Sequence, residues 1–379
     1  MHWSSRHCAI TILRLSNFVA STIALLVLEP ALATHPGVDN TYGSNGFASV
    51  DTGVFSPNAR FDATYVAGDA TGGVAVATVS DSSFAVTRLL AAGTADPGFN
   101  GGVARVVDTG IARMTALGID AMGRTLLSGT EYDTGQTVVI VYRLTAAGAL
   151  DQTFGVSGRL RTILPINVAD QGVVPTQPSV LVARPGGGFF IVLGKGGVAA
   201  FNASGGLDST FWSQGVFTTS LVQIGPHVSS YSSVLAVDGT GRIYTALPQA
   251  PIGRHLIGRV LPNGSSDGSY GGVVEAPSTG SPELAKFDAQ GRMYFLNFNY
   301  FGGASYSLVR VGTDGQLDTT YGTGGYAAQT ASFPYDGAVD LDVAADGRVI
   351  VAARYSNQAS SAILTFRLFD ASGALVPGF

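Results

Sequence analysis

Short apolar runs alternate with turns along most of the chain. Within residues 103–150, mostly apolar runs cover 103–107, 114–119, 125–129 and 137–144. The second and third runs are joined by the turn sequence DAMGR at 120–124. Runs of about five to eight residues between turn residues predict β-strands. No segment shows sustained helical periodicity, so the pattern predicts four strands in this stretch and an all-β protein.

A polar motif interrupts this pattern at a regular spacing. It reads LDQTFGVSG at 150–158 and recurs clearly at 207–215 and 317–325. Weaker copies start at 39, 96 and 267, and the copy at the end of the chain has Val376 where the others have an aspartate. The aspartates of the motif are Asp39, Asp96, Asp151, Asp208, Asp267 and Asp318. Their mean spacing of about 56 residues predicts a repeat architecture.

The repeat length favours one architecture. The repeats cover about 47–96, 103–151, 159–208, 216–267, 273–318 and 326–376. Each holds four strands with turns between them, whereas the coils of an open β-solenoid, the alternative, are roughly 20–30 residues long. Six four-stranded repeats predict a six-bladed β-propeller, in which each small sheet buries both faces against its neighbours.

The repeated motif also carries a family resemblance. The pattern LDxTFGxxG, preceded by a strand and an Asn/Asp-x-x-Gly turn, resembles the bacterial delta-60 repeat. The resemblance covers residues 38–379, although Pro97 follows Asp96, Gly268 follows Asp267, and Val376 replaces the acid of the last copy. The resemblance implies a β-propeller repeat in an exported protein, and it implies no catalytic residue.

The first 33 residues have the layout of a secretory leader. Arg6 and Arg14 precede an apolar stretch at 18–28, and the small residues of ALA at 31–33 follow it. A membrane anchor is the alternative, but a span needs about 20 apolar residues. We expect cleavage after Ala33, a single domain over 34–379, and no membrane span afterwards. The one cysteine, Cys8, lies in the leader, so we expect no disulfide.

Charge is scarce and mildly negative. Charged residues make up 12% of the chain, against about 25% in typical proteins, and the net charge is −5. No basic stripe is present, so we expect no nucleic-acid partner. Hydrophobic residues make up 46% of the chain, which is enough to bury a core and argues against disorder.

Candidate chemistry is sparse. The histidines after the leader, His35, His227 and His255, lack the neighbouring ligands of a metal site. The sequence GSSDG at 264–268 matches the nucleophile-elbow pattern, but it occupies the motif position of its repeat, so we interpret it as a turn. We therefore expect no catalytic residue, no cofactor and no metal.

One acidic cluster leaves a calcium alternative open. Asp340 and Asp342 would share one face of a strand, and Asp346 follows closely. The structural alternative is that Asp346 belongs to a recurrent hairpin turn, of which DGTGR at 238–242 and DAQGR at 288–292 are other copies.

Aromatic residues crowd the fifth repeat. Tyr300 and Phe301 precede two glycines, and Tyr306 follows them. Aromatic rings in an exposed loop stack on sugars or anchor a protein partner. These three residues are the predicted ligand-binding patch.

An arginine also repeats. Arg88, Arg143, Arg259 and Arg310 each precede the motif aspartate by eight residues, Arg367 precedes Val376 by nine, and the third repeat has Ala200 instead. A guanidinium on the strand before the motif can hold its carboxylate, and we expect these pairs to pin the turn between blades. Because Asp39 is a spare copy, we further expect it to pair with Arg367 and close the ring.

These observations predict an exported, monomeric, non-enzymatic propeller that binds a glycan or a protein. The alternatives are an exported enzyme on the same scaffold, such as a lyase or hydrolase acting on a polysaccharide or peptide, and a purely structural surface protein. The three glutamates after the leader, Glu131, Glu275 and Glu283, have no evident acid or base partner in the sequence. The compartment is expected to be periplasm, cell surface or medium.

Overall fold

The computed structural model describes residues 10–13, 44, 47–50, 63–69, 71–80, 82–109, 113–133, 136–165, 178–193, 197–218, 223–224, 227–228, 233–249, 254–275, 281–299, 305–329, 337–344, 346–356 and 362–377. Two short strand pairs stand apart from the main sheets. They are β1 (Ile10–Leu13) with β2 (Phe47–Val50), and β15 (Gln223–Ile224) with β16 (His227–Val228). Strand β1 falls within the predicted leader, whose other residues lie outside the described ones, so the leader stays a prediction.

The other strands of the described residues pair in sequence order into six antiparallel sheets. The first sheet contains β3 (Ala63–Gly68), β4 (Val74–Val79), β5 (Ser83–Leu89) and β6 (Arg105–Asp108). The second contains β7 (Arg113–Ile119), β8 (Thr125–Asp133), β9 (Gln136–Leu144) and β10 (Arg159–Ile163). The third contains β11 (Pro178–Ala183), β12 (Phe189–Leu193), β13 (Gly197–Phe201) and β14 (Val216–Thr218).

The later sheets have the same order. The fourth contains β17 (Ser233–Val237), β18 (Ile243–Gln249), β19 (Arg254–Val260) and β20 (Ser266–Glu275). The fifth contains β21 (Ser281–Phe287), β22 (Met293–Asn299), β23 (Ser305–Val311) and β24 (Tyr326–Gln329). The sixth has three strands in the described part of the chain, β25 (Gly337–Val343), β26 (Val349–Ser356) and β27 (Ala362–Phe369).

Contacts divide the chain into two compact units. The first covers Met1–Leu193 and Ala199–Asp208, and the second covers Gly194–Val198 and Ser209–Phe379. In the first unit, β3 contacts β7 and β7 contacts β11. In the second unit, β17 contacts β21 and β21 contacts β25. Within each unit, neighbouring sheets therefore converge on their first strands.

The core lies between the sheets rather than inside any one of them. All six residues of β4 are buried, because that strand is covered on both faces. In the first unit, Phe84 of the first sheet meets Tyr142 of the second edge to face, with ring centroids 5.3 Å apart. In the second unit, Tyr294 and Leu308 of the fifth sheet share a core cluster with Leu341 and Val351 of the sixth. Sheets whose middle strands are buried on both faces need a neighbour on each side.

The fold class is that of a six-bladed β-propeller, as the sequence predicted. Its units are small antiparallel sheets with strands in chain order, stacked face to face within each compact unit. The described residues include one short 3-10 helix, Asn100–Gly102. They include no helix long and apolar enough to cross a bilayer.

The sheets are offset from the sequence repeats by one strand. In the second sheet the motif at 150–158 lies between β9 and β10, which pair directly. The strands that follow the motifs at 96, 151, 208 and 318 likewise complete the same sheets, so the expectation that the motif joins two blades needs correcting. Sequence periodicity sets the length of a repeat but not its starting point, because any strand can serve as the first of a periodic series.

The glycines of the motif permit a tight turn. Gly155 has a φ of +54°, and a Cβ atom there would lie 2.2 Å from the carbonyl oxygen of Arg159. Gly158 has a φ of +88°; its N–H donates to the oxygen of Phe154 and its carbonyl accepts from the N–H of Arg143. The turn closes back onto β9, so both positions need glycine.

Gly155→Ala should destabilise the protein more than Gly101→Ala. Both residues have positive φ, but nothing lies within 4 Å of a Cβ at Gly101. The control should lose about 1–2 kcal/mol from the left-handed conformation alone, and Gly155→Ala should lose clearly more because backbone atoms must also move. Urea unfolding of both variants measures the difference. Equal losses would contradict the close approach at Gly155.

Candidate functional site

The motif aspartate holds two groups at once. Oδ2 of Asp151 accepts from Nε of Arg143 at 2.8 Å, and Oδ1 accepts from the backbone N–H and hydroxyl of Thr153 at 3.0 and 2.6 Å. The second hydrogen-bond pair explains why the motif reads Asp-x-Thr, because the side chain closes an Asx turn. Asp318 with Arg310 and Thr320, and Asp267 with Arg259 and Ser269, repeat the arrangement.

The aromatic residue of the motif lies under the guanidinium. Arg143 stands 4.3 Å from the ring centre of Phe154, and Arg310 stands 4.5 Å from that of Tyr321. The same guanidiniums also reach the neighbouring sheet, where Arg143 donates to the carbonyl of Ala203 and Arg310 to that of Ala371. The arginine thus joins its own turn to the next sheet. This recurring assembly therefore stabilises the fold and is part of the scaffold.

In the first and third repeats the charged side chains form other pairs than Arg143 and Asp151 do in the second. Arg88 pairs with Asp69 of the hairpin turn at 2.7 Å, while the carboxylate of Asp96 accepts from the N–H of Gly98. In the third sheet Ala200 replaces the arginine, and Arg184 reaches Asp208 instead at 2.7 Å. Arg88 was expected to pair with Asp96, but in the structure its side chain pairs with Asp69 instead.

The last repeat lacks the pair altogether. The N–H of Val376 donates to the backbone carbonyl of Leu368, just as the N–H groups of Asp151 and Asp318 donate to those of Arg143 and Arg310. Leu368 therefore stands where the other repeats have the arginine, and Val376 stands where they have the aspartate. Arg367 lies one residue earlier and therefore on the opposite face of β27. Its guanidinium donates to the hydroxyl of Tyr306 at 3.4 Å. Asp39 lies outside the described residues, so its expected pairing with Arg367 stays a prediction.

Burial and hydrogen bonding compete at the motif carboxylates. Burial raises the pKa of Asp151, but hydrogen bonds from Thr153 and the charge of Arg143 outweigh it, so the pKa lies below its ordinary value. The pKa of Asp318 is lowered by the same balance, with Thr320 and Arg310 as the partners. These groups stay ionised and act as fixed anions of the scaffold.

Of the three residues of the predicted aromatic patch, the described part of the chain includes Tyr306 alone. Tyr300 and Phe301 lie outside the described residues. Tyr306 is 2% exposed and belongs to the core of the fifth and sixth sheets. Its ring is therefore not accessible to a ligand in solvent, because side chains alternate between the two faces of β23 and that of Tyr306 points into the core. A binding role for Tyr300 and Phe301 stays a prediction.

The residues considered for a nucleophile elbow or a metal site have structural roles. Asp342 is buried, and Asp346 accepts from Nε of Arg348 at 2.8 Å. Within the described residues no group of three His, Cys, Asp or Glu side chains is placed to hold a metal. Ser265 donates its hydroxyl to Asn263 at 2.8 Å in a turn that leads into β20, not into a helix.

One charged cluster does not follow the repeat. Glu131, at the far end of β8, accepts from two arginines of β10 at once. Nη2 of Arg159 lies 2.5 Å from Oε1, and Nε of Arg161 lies 2.6 Å from Oε2. The carboxylate is 10% exposed, whereas the guanidinium side chains are 35% and 40% exposed. These three residues are called the Glu131 cluster below.

Strand register shows that this cluster does not recur in the first, fourth and fifth sheets. The sheets can be aligned on the repeated arginine, or on Leu368 in the sixth sheet. In this alignment the position of Glu131 is taken by uncharged residues in the first, fourth, fifth and sixth sheets, namely Ser80, Gln249, Asn299 and Tyr355. The position of Arg161 is taken by Val106, Val273 and Ala328 in the first, fourth and fifth sheets. The scaffold forms without these charges, so the fold does not require them.

The cluster lies on the face of the second sheet that packs against the first. Tyr142, opposite Arg159 in the register, belongs to the core cluster shared with Phe84 and Val107 of the first sheet. Burial raises the pKa of Tyr142; the charge of Arg159 opposes this rise, while the negative charges of Asp108 and Glu131 add to it. Asp108, on the outer strand of the first sheet, thus adds a further charge to this seam.

Sequence reasoning missed the Glu131 cluster. Its members are separated by 28 and 30 positions, and β9 lies between their strands. A usable signal was nevertheless present: Glu131, Arg159 and Arg161 are charged where the aligned repeats are not.

Comparison with known proteins adds little to these observations. No protein-family profile matches the chain, and no curated relative matches its sequence. Among solved structures, the periplasmic gluconolactonase PpgL of Pseudomonas aeruginosa is similar at 13% identity and a TM-score of 0.47, over 97% of this chain and 94% of that one.

Two other structures resemble the chain at similar levels. A structural-genomics protein from Lactobacillus plantarum has 14% identity and a TM-score of 0.43, over 77% of this chain and 76% of that one. BamB from Moraxella catarrhalis has 12% identity and a TM-score of 0.33, over 82% and 92%. Similarities this distant carry no argument about the site or the activity.

Removing the carboxylate of Asp151 should cost much more than removing that of Asp96. Asp151→Ala leaves Arg143, whose side chain is 2% exposed, without its anion, and a broken buried pair costs about 3–5 kcal/mol. Asp96→Ala loses one turn hydrogen bond, worth about 1 kcal/mol. Chemical unfolding of both variants measures the two losses. Similar losses would show that the arginine pair does not stabilise the turn.

Acid should unfold the protein through the scaffold carboxylates. Asp69, Asp151, Asp238 and Asp318 all have lowered pKa values in the folded state. Their contribution is complete above the unfolded pKa of about 3.9 and is lost as pH falls through the lower folded values. Urea unfolding between pH 6 and 2.5 should show stability falling from about pH 4 downward, with a shallower slope for Asp318→Asn. A flat profile would contradict the lowered values.

Proposed function

We propose that this protein is an exported β-propeller of the delta-60 repeat type that acts as a binding or interaction module and not as an enzyme. Its recognition site is the Glu131 cluster. The observation that carries the proposal is that, among the described residues, this cluster does not recur, whereas the other ion pairs recur or substitute for one another from sheet to sheet. Binding sites are grafted onto scaffolds, so a departure from the repeat is where function is expected.

The exposure of the two arginines supports a binding role. The arginines that hold the motif aspartates of the second, fourth and fifth sheets are buried or nearly so: Arg143, Arg259 and Arg310 are 2%, 12% and 4% exposed. Arg159 and Arg161 keep 35% and 40% of their side chains in solvent while their carboxylate partner is 10% exposed. Counted with Arg105 and Asp108 of the adjoining strand β6, three guanidiniums and two carboxylates leave one positive charge in excess, which favours an anionic ligand.

The placement of the carboxylates supports a binder over an enzyme. General acid–base catalysis needs a group positioned to exchange a proton with a substrate. Both oxygens of Glu131 already accept from guanidiniums, and the aspartates at 151, 267 and 318 each hold an arginine and a turn. These groups are engaged as ion-pair partners.

The assignment to an exported protein rests on the leader pattern of residues 1–33 and on the delta-60 resemblance. The contacts described above give Asp151, Thr153, Phe154, Gly155 and Gly158 of the motif a structural role, which fits a repeat unit whose residues serve the scaffold. The periplasm, the cell surface and the medium all agree with such a leader.

A combined binding and turnover screen tests the proposal. Protein purified from an exporting host should bind ligands on a glycan or protein array saturably, and it should not turn over esters, glycosides or peptides. Turnover that co-purifies with the protein and is lost in Glu131→Gln would overturn the proposal in favour of an enzyme. Failure to bind any array ligand would remove the binding role.

A further inference from the structure

We infer that the Glu131 cluster is a receptor for a single carboxylate group, so that the ligand is a small acid or a ligand that presents one carboxylate at its end. This inference rests on the proposed binding function and specifies its ligand chemistry. It follows from the convergence of the two guanidiniums, from the charge of the site and from buried donors that lack partners.

The two guanidiniums converge on one point. Arg159 and Arg161 are two residues apart on β10 and therefore share a face. Both reach the same carboxylate, at 2.5 and 2.6 Å from its two oxygens. An array of anions along an extended chain would need arginines that point to separate places. Convergent arginines instead suit one oxyanion, and their planar N–H pairs match the two oxygens of a carboxylate.

The charge of the site favours a monoanion. The seam holds three guanidiniums, those of Arg105, Arg159 and Arg161, and two carboxylates, those of Glu131 and Asp108, so one positive charge is in excess. A carboxylate restores neutrality, whereas a phosphate monoester, with nearly two negative charges near neutral pH, would leave an excess. Glu131 itself demonstrates that a carboxylate fits between these two side chains.

Buried donors provide a second observation. Nε of Arg159 is buried and has no hydrogen-bond partner, and Nε of Arg105 is in the same condition. Arg105 lies two residues before Val107 on β6 and so shares the face that packs against the second sheet. Buried donors without partners are rare in folded proteins, and a ligand oxygen is one way to satisfy them.

An apolar neighbour adds to the site. Ile163 follows Arg161 by two residues on the same face of β10 and is 45% exposed. Its side chain can cover the carbon skeleton next to a bound carboxylate. A ligand with an acid group and an apolar or ring-shaped body suits this arrangement.

Paired acids and their methyl esters test the inference. The probes are D-glucuronate and N-acetyl-L-glutamate α-amide, each with its neutral methyl ester, and inorganic sulfate and phosphate. Titrations of the full exported protein are followed by calorimetry and by the Nε–H resonances of arginine. At least one acid should bind, its ester should bind at least tenfold more weakly, and the Arg159 and Arg161 signals should shift. The acid that binds identifies a sugar or an amino-acid source.

Four variants separate the site from the general charge of the protein. Arg159→Ala and Arg161→Ala should each weaken acid binding at least tenfold. Arg242→Ala is the matched control: its side chain is also 40% exposed and holds one carboxylate, Asp238, in the recurrent turn, so binding should change less than twofold. Glu131→Gln should strengthen binding several-fold because it removes the internal competitor. Circular dichroism checks that each variant folds.

Several outcomes would overturn the inference. They are equal binding of acid and ester, equal losses in Arg161→Ala and Arg242→Ala, preference for phosphate or sulfate, and no binding of either acid. If array ligands still bind in such a case, the binding function stands and only the ligand chemistry is wrong. If Arg159→Ala or Arg161→Ala does not fold, the result for Glu131→Gln decides, since unchanged or weaker binding there would contradict the competition.

Discussion

The pair between a strand arginine and the aspartate of the following turn is the interaction that organises the second, fourth and fifth sheets. At Arg143 and Asp151 it joins β9 to the turn before β10, places the guanidinium over Phe154, and reaches a backbone carbonyl of the neighbouring sheet. A charge that is 2% exposed is tolerated only with its counter-charge in place. One residue pair thus fixes a turn, an aromatic ring and a contact between sheets.

The departures show that the constraint is charge balance and not position. Where the strand arginine is lost, at Ala200, another arginine, Arg184, reaches the aspartate. In the first sheet Arg88 takes the carboxylate of Asp69 from the hairpin turn. In the last repeat both partners are replaced by apolar residues, Leu368 and Val376. A buried ion pair and an apolar pair of similar size are close in stability, whereas a half pair is costly.

The Glu131 cluster contrasts with this scaffold in three physical respects. It combines two cations with one anion, its cations are more exposed than Arg143, Arg259 and Arg310 of the repeated pair, and it occupies strand positions that are uncharged in the aligned sheets. A repeat protein offers its own internal control for such comparisons, because each sheet solves the same folding problem. Charges that the second sheet has and the aligned sheets lack are not required by the shared architecture, and this comparison separates the site from the scaffold.

The sequence by itself determined the features that depend on local geometry. The strand count and the period follow from apolar runs and turn residues, and the pairing of Arg143 with Asp151 spans eight residues across one turn. Tertiary structure alone decided the rest. It assigned β10 to the sheet of β9, placed Tyr306 in the core, and moved Arg367 to the other face of its strand. It also brought Glu131 to Arg159 and Arg161 across β9. A local turn is set by a few backbone dihedrals, but a contact across an intervening strand depends on the register of two strand pairs, and one residue of register turns a side chain to the opposite face.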